Sequence, residues 1–193
     1  MLRGPDSVRG GEGLDALSAE LERQAEIYRG LSVSKDVIMR LLTPRPDRLL
    51  SYVDIPVVTL GTSVDPNIQA SFAQIEKDYD LSRGVDTAGG ITFPEPRLIW
   101  MHDGSRYTKK SVEWVLRHVP QHTRPSTQID GIALAIVHPD IHRVLRHHWI
   151  ALPGTSVGSG SAPNLRDWCG GLKLRHDLVG AASPRWGSAL SGS

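Results

Sequence analysis

The pattern of apolar residues changes at Trp149, and this change constrains the fold more than any other feature of the chain. Before Trp149, several segments have apolar residues at helical spacing, and short apolar runs at residues 55–60 and 97–102 are typical of strands. After it, short apolar segments alternate with Gly, Ser and Pro, as in small strands joined by turns. The sequence therefore predicts an α+β fold with several helices and a small mixed or antiparallel sheet.

The chain of 193 residues fits one domain with an appended arm. Residues 1–13 are rich in glycine and charge, which predicts a flexible tail. Two helices should follow within residues 14–43, and the Pro-Arg-Pro after them indicates a semi-independent N-terminal helical arm. The α+β domain proper is expected at residues 50–193.

The two helices of the arm have recognisable signals at their ends. Gly30 should stop the first helix, Ser34 should cap the second, and Pro44 should end it. The apolar residues of residues 14–43 could join the core, or they could bind a protein partner or a second copy of the chain. The sequence leaves both alternatives open.

Turn and cap residues mark the elements of the main domain. Asp103-Gly104 is the strongest turn signal in the chain and should follow the strand at residues 97–102. Ser126 or Thr127 should cap a helix with the sequence TQIDGIALAIVH. Further helices are predicted at residues 65–79, 111–119 and 139–147, with a loop at residues 81–90.

The charge of the chain is almost balanced, with 22 basic and 21 acidic residues. This balance does not favour a protein that coats nucleic acid or an anionic membrane, so nucleic acid is not the expected partner. No stretch reaches the roughly 20 apolar residues of a membrane span, and no apolar run marks a secretory signal. With one cysteine, Cys169, no internal disulfide can form. We therefore expect a cytoplasmic protein without membrane association, in which the thiol is partly buried.

Four histidines lie close together in HPDIHRVLRHHW, which raises the question of a metal site. A helix turns by about 100° per residue, so His142 and His147 point in different directions. Pro139 should begin the helix, which leaves His138 at its cap, and His148 falls on the apolar face. Because zinc needs three or four converging ligands, no metal site is predicted.

The segment Gly154-Thr155-Ser156-Val157-Gly158 matches the pattern of a nucleophile elbow, in which a serine lies between a strand and a helix. A strand precedes it, but the glycine- and serine-rich residues that follow do not favour a helix. The same segment offers backbone N–H groups to an anion, yet it lacks the Gly-Lys-Ser/Thr ending of a phosphate-binding loop. A glycine-rich turn explains these residues, so neither a catalytic serine nor a cofactor is predicted.

Several motifs follow one another in a fixed order through residues 50–193. They are DIPVVT, RLIWMHDG, TRPSTQIDGIAL, an His-Pro pair, a strand that ends in Gly-Thr, and Trp-Gly-Ser-Ala near the end. In this order the chain resembles an uncharacterised, largely actinobacterial family of domains of unknown function. Relatives would carry arginine where this chain has Ser156, which argues further against a nucleophile. The family has no assigned activity, so the resemblance implies an identity without a mechanism.

The sequence places any ligand site in the C-terminal half. Trp186 is the strongest single candidate, because an aromatic ring beside glycine and serine can stack on a flat ligand. A strand end and a glycine-rich loop supply the other candidates. The full set of candidate ligand-binding residues is Asp103, Arg106, Gly154, Thr155, Trp186, Gly187 and Ser188.

A non-catalytic cytoplasmic binding or protein-interaction module is the leading prediction, because no acid–base pair, metal set or cofactor loop emerges from the sequence. One alternative is a small enzyme that acts on a phosphate- or carboxylate-bearing substrate through Arg106, Arg175 or His176. Another is an RNA-associated protein with an arginine face at Arg143, Arg146 and Arg175. A cleft that gathers a histidine, an acid and an arginine would favour the enzyme. An exposed apolar stripe on the arm would favour the interaction module.

Overall fold

Two sheets, a separate strand pair and six α-helices make up the part of the chain that the structure, a computed structural model, describes. The described residues are 10–41, 54–62, 64–81, 85–86, 94–158 and 160–192. The helices are α1 (Gly10–Tyr28), α2 (Lys35–Met39), α3 (Pro66–Phe72), α4 (Val112–Arg117), α5 (Gln128–Val137) and α6 (His142–Leu145). The strands are β1 (Asp54–Thr59), β2 (Glu76–Lys77), β3 (Val85–Asp86), β4 (Arg97–His102), β5 (Arg124–Pro125), β6 (Trp149–Ala151), β7 (Thr155–Ser156), β8 (Ser161–Trp168), β9 (Gly171–Leu178), β10 (Trp186–Ser188) and β11 (Leu190–Gly192).

Helix α5 lies in the core, and all of its residues are buried. The Thr127 hydroxyl accepts a hydrogen bond from the Asp130 backbone N–H, and the Asp130 carboxylate accepts one from the Thr127 N–H. Arg124 donates two further hydrogen bonds to this carboxylate, at 2.7 and 3.1 Å. Gly131 allows a close approach, since a Cβ there would lie 2.5 Å from Leu152 Cδ1. The polar groups at the buried start of the helix thus have hydrogen-bond partners. Helix α5 contacts both β1 and β8.

The two sheets differ in their strand directions. The four-stranded sheet has the order β1-β4-β11-β5 and is antiparallel throughout. The five-stranded sheet has the order β10-β6-β8-β9-β2, with parallel pairs at its edges and antiparallel pairs between them. Strands β8 and β9 form a hairpin whose two-residue turn, Cys169-Gly170, has positive φ at both positions, as in a type I′ turn.

Helix α1 covers the outer edge of β1 and is part of the core. The Gln24 side-chain amide donates to the Pro56 carbonyl at 2.7 Å and accepts from the Val58 N–H at 2.8 Å, as a neighbouring strand would. The Tyr28 hydroxyl donates to the Val58 carbonyl, and both Gln24 and Tyr28 are fully buried. The apolar side of α1, including Leu21, is buried as well. Side chains of α1 thus occupy backbone groups that an added strand would need.

Several sequence predictions are confirmed. The fold is α+β, with mixed and antiparallel sheets and an N-terminal helix. The strand predicted at residues 97–102 is β4, and the expected turn follows it with Gly104 at a φ of 86°. Ser34 caps its helix through a side-chain hydrogen bond, as predicted, and Thr127 rather than Ser126 caps α5.

Some predicted boundaries are wrong. The helix predicted at residues 65–79 ends at Phe72, because Gln74 has a φ of 54° and the chain then enters β2. Within the predicted loop at residues 81–90, Val85–Asp86 pairs with β7. The predicted helix at residues 139–147 is a 3-10 turn followed by α6, which ends at Leu145.

The ends of the arm fall partly on residues that the structure does not describe. Residues 1–9 of the predicted tail and Pro44 lie outside the described residues, and α1 begins at Gly10, within the predicted tail. No helix of the described ranges is long and apolar enough to cross a membrane. The prediction that Cys169 is partly buried is wrong, since the hairpin turn leaves it exposed.

We predict that Gln24→Ala lowers the free energy of unfolding by about 2 kcal/mol, because the substitution leaves the buried Val58 N–H without its partner and takes from the Pro56 carbonyl one of two partners, the other being His138. Urea denaturation checks this. Glu22→Ala, on an exposed side of the same helix, is the control and should change stability by less than about 0.5 kcal/mol. Equal stability of the two variants would show that the amide does not secure this edge.

Candidate functional site

Two tryptophans enclose a guanidinium group on one face of the five-stranded sheet. Leu165 of β8 points into the core, so the alternation of the strand places Arg166 on the opposite face. The pairing of Ile150 with Leu165 makes Trp149 the cross-strand neighbour of Arg166. Trp168 follows Arg166 by two positions and shares its face.

The distances show stacking across three strands. The Arg166 Cζ atom lies 4.6 Å from the centroid of the Trp149 ring and 5.3 Å from the centroid of the Trp168 ring. Both distances are within the range of cation–π contacts. The Trp186 ring lies 6.1 Å from that of Trp149, at an interplanar angle of 31°. We call these four residues, Trp168, Arg166, Trp149 and Trp186, the Trp–Arg row.

Arg166 is buried without a matching acceptor. Only 5% of the residue is exposed, and its Nε atom has no hydrogen-bond partner in the described part of the chain. Burial lowers the pKa of Arg166, and the nearby Arg175 lowers it further, against the opposing charges of Asp177 and Asp78. A guanidinium stays charged in proteins, so this side chain presents a positive charge with an unused donor.

The other cations of the same face are already paired. Lys173 Nζ lies 2.6 Å from Glu76 Oε1 and 3.3 Å from Asp78 Oδ1, and Arg175 also pairs with Asp78. Among the described residues of this face, Lys173 and Arg175 are thus in salt bridges and Arg166 is not, while Asp177 adds a further negative charge nearby. Such a surface fits one anionic group at one position better than a long polyanion.

Helix α4 covers the other end of this face. Val112 of α4 packs against Ala151 of β6 and Ala162 of β8, with Leu116 beside them. The Trp–Arg row lies towards the hairpin turn, where Trp168 is 51% exposed. The exposed indole can stack on a planar ring, and a guanidinium can donate parallel hydrogen bonds to a carboxylate or phosphate.

Two groups of predicted site residues meet beside this row. A Cβ on Gly104 would lie 2.3 Å from the carbonyl oxygen of Gly187, so the turn after β4 packs directly on β10. The Asp103 carboxylate accepts a hydrogen bond from the Ser105 N–H at 2.9 Å, which is an ordinary turn contact. Asp103, Gly187 and the predicted Ser188 are buried, whereas Arg106 is exposed.

The predicted Gly154 and Thr155 lie elsewhere, against the start of α5. The Gly154 N–H donates to the Ser126 carbonyl at 2.9 Å, and the Thr155 hydroxyl accepts from the Gln128 N–H at 3.0 Å. A Cβ on Gly154 would lie 2.5 Å from the Pro125 carbonyl oxygen. These contacts give both residues a structural role.

The histidines and Ser156 contact different groups in the described part of the chain. His138, His142 and His148 face different partners: the Pro56 carbonyl, Asp167 and the Asp103 carbonyl. No set of three potential metal ligands occurs among the described residues. The Ser156 hydroxyl donates to the Gly158 carbonyl, and a strand rather than a helix follows it.

A buried histidine pair supports the turn after β4. His102 Nδ1 accepts a hydrogen bond from the Gly104 N–H at 2.9 Å, and His148 Nε2 donates to the Asp103 carbonyl at 2.9 Å. Burial lowers the pKa of His102, Arg106 and His148 lower it further, and the Asp103 carboxylate opposes them. A histidine, an acid and an arginine thus gather here, but the first two bond to the turn itself.

Trp186 was predicted from the sequence as a site residue, whereas Trp149, Arg166 and Trp168 were not. The spacing of Arg166 and Trp168, two apart before a hairpin turn, is a signal for a shared strand face. Trp149 joins them only through strand pairing, which no local pattern reveals.

No family model, curated protein or solved structure matches the chain. The resemblance to the uncharacterised bacterial family therefore stays a prediction, and the function must be argued from the geometry.

We predict that acidification destabilises the protein partly through His102. An unfolded histidine has a pKa of about 6.5, and the folded value is lower, so below about pH 6.5 only the unfolded chain gains this proton. Stability should fall as the pH drops below that value. His102→Asn keeps an acceptor for the Gly104 N–H without titrating and should flatten the decline. Urea denaturation between about pH 5.5 and 7.5 checks this.

The exposed His147 supplies the control for this experiment. His147→Asn should follow the pH dependence of the unchanged protein. If His102→Asn follows it as well, the buried imidazole does not contribute to acid sensitivity.

Proposed function

We propose that the protein is a non-catalytic binding module that captures a planar ligand with a carboxylate or phosphate group at the Trp–Arg row. The observation that carries the proposal is the Arg166 guanidinium, buried between Trp149 and Trp168 with its Nε lacking a partner among the described residues. A buried donor without an acceptor costs roughly 1–3 kcal/mol, more when it is charged. A ligand that supplies the acceptor would recover this energy.

The ligand's chemistry follows from the groups that surround the guanidinium. A carboxylate or phosphate matches its forked donors, and a flat ring matches the open face of Trp168. Ring and anion should belong to one molecule, because the indole and the guanidinium are in direct contact. Trp186 continues the aromatic surface beyond Trp149, which supports the prediction that it stacks on a flat ligand.

We propose binding rather than catalysis because of what adjoins Arg166. Arg166 contacts indole rings, which do not titrate near neutral pH, and the nearby cations Lys173 and Arg175 are held in salt bridges. The enzyme alternative would require a titrating group beside the bound anion. The RNA alternative would require free cations along the face, and Arg175 is paired with Asp78.

The proposal locates recognition on the sheet and not on the arm. Apolar side chains of residues 14–43 such as Leu17 and Leu21 are buried and closed to a protein partner or a second copy, and Val37 is an exposed exception. We also propose a cytoplasmic location, which suits the exposed free thiol of Cys169. The relationship to the uncharacterised bacterial family belongs to the same proposal.

Tryptophan fluorescence titrations test the proposed function. AMP and 2-naphthoate combine a planar ring with an anion, whereas adenosine has the ring alone and inorganic phosphate the anion alone. Because stacking and hydrogen bonding act together, AMP or 2-naphthoate should quench the emission at concentrations at which adenosine and phosphate do not. Absence of any response to the two combined probes at millimolar concentration would contradict the proposal.

We predict that Arg166→Met weakens binding of the responding probe about tenfold to a hundredfold, the value of a charge-assisted hydrogen-bond pair. Arg166→Lys keeps the charge but loses the forked pair of donors, so its affinity should lie between those of the unchanged protein and Arg166→Met. Arg143→Met makes the same change at an exposed position on α6 and should bind like the unchanged protein. Equal affinity of Arg166→Met and Arg143→Met would show that the guanidinium is only structural.

A further inference from the structure

A groove of about 270 Å³ opens on the side of the five-stranded sheet opposite the Trp–Arg row. Leu172 of β9 lines it, and strand alternation places Leu172 on the other face from Lys173 and Arg166. The ends of α3 and α5 and the turn before α6 form the remaining walls. Its lining residues are Phe72, Ala73, Gln74, Ala135, Ile136, Pro139, His142 and Leu172.

Close packing holds the aromatic wall in place. Phe72 ends α3 and packs over Gly30, where a Cβ would lie only 2.6 Å from Phe72 Cε2. The left-handed φ of Gln74 turns the chain away just after this ring. Although Phe72 is 38% exposed, its position is thus defined by the backbone of the arm beneath it.

One imidazole with a fixed orientation, that of His142, lies beside Gln74 among the polar groups of the groove. His142 Nδ1 lies 3.2 Å from Asp167 Oδ2, and the other carboxylate oxygen accepts a hydrogen bond from the Gly170 N–H at 3.0 Å. An ionised carboxylate only accepts hydrogen bonds, so Nδ1 must carry the proton that it shares with Asp167. In the neutral ring, Nε2 on the far edge is then an acceptor.

We propose that this groove binds a small apolar molecule with a hydroxyl group, such as a phenol or an alcohol, whose O–H donates to His142 Nε2. The apolar side chains of the lining, such as Phe72 and Leu172, contact the carbon skeleton, and the imidazole selects a donor. The Asp167 carboxylate behind the ring disfavours an anion. The volume lies just below the usual range for drug-sized ligands and suits a single ring. This site is independent of the Trp–Arg row, which takes an anion on the opposite face.

Phenol, toluene and benzoate are the probes, because they share one ring and differ in the polar group. Titration of the full chain is followed by the imidazole nitrogen resonances of His142. Phenol should shift the Nε2 resonance and bind about three- to tenfold more tightly than toluene, the value of one hydrogen bond. Benzoate should bind more weakly than phenol. Equal affinities of phenol and toluene would overturn the proposal. Binding of phenol that leaves the His142 nitrogen resonances unchanged would overturn it as well.

Two variants separate recognition from a structural role of the pair. His142→Leu should abolish the preference for phenol over toluene while keeping toluene binding, and His147→Leu, at an exposed position next to α6, should leave the preference unchanged. Asp167→Asn has an amide that can accept from Nδ1 or donate to it, so it no longer fixes the proton at Nδ1 and should reduce the preference even if His142→Leu does not fold. Unchanged preference in a folded His142→Leu or Asp167→Asn protein would overturn the proposal. Arg166→Met should bind phenol like the unchanged protein, because the groove does not include the Trp–Arg row. Failure of the proposed function can thus be distinguished from failure of this proposal.

Discussion

Complete burial of α5 is the constraint on which the rest of the structure depends. A helix without a solvent-facing side must satisfy its own polar start, and here Thr127, Asp130 and Arg124 do so together. An uncompensated charge at Asp130 would cost several kcal/mol. With that start secured, β1 of one sheet and β8 of the other can pack on the same helix. The first helix then closes the edge of β1 through Gln24.

This arrangement gives the two faces of the five-stranded sheet different surroundings. The face towards α5 carries Leu165 and Leu174, which are fully buried, and the groove opens where this packing ends near Leu172. The opposite face needs no such cover, and α4 shields only one end of it. The Trp–Arg row occupies the remainder. Its tryptophans bury the guanidinium without supplying an acceptor, and the proposed anion binding rests on this arrangement.

Local signals predicted much of this fold, and long-range pairing explains where they failed. The strand RLIWMH and the caps at Ser34 and Thr127 depend on neighbours in sequence, so they were predictable. The end of α3 was not, because Glu76 and Lys77 pair with β9, and Glu76 meets Lys173 97 residues further along the chain. Trp186 was recognised by its own chemistry, whereas the row to which it belongs exists only once β6, β8 and β10 are paired.

The state of the Arg166 Nε–H group in solution tests the central claim most directly. Its proton and nitrogen resonances, assigned by comparison with Arg166→Lys, report burial through the rate of exchange with water and hydrogen bonding through the chemical shift. The account predicts slow exchange at the shift of an unbonded group in the free protein, and a downfield movement when AMP or 2-naphthoate is added. A proton that exchanges rapidly, or that keeps its chemical shift in the presence of either ligand, would contradict the claim that the Nε–H group is buried and unbonded until an anion binds.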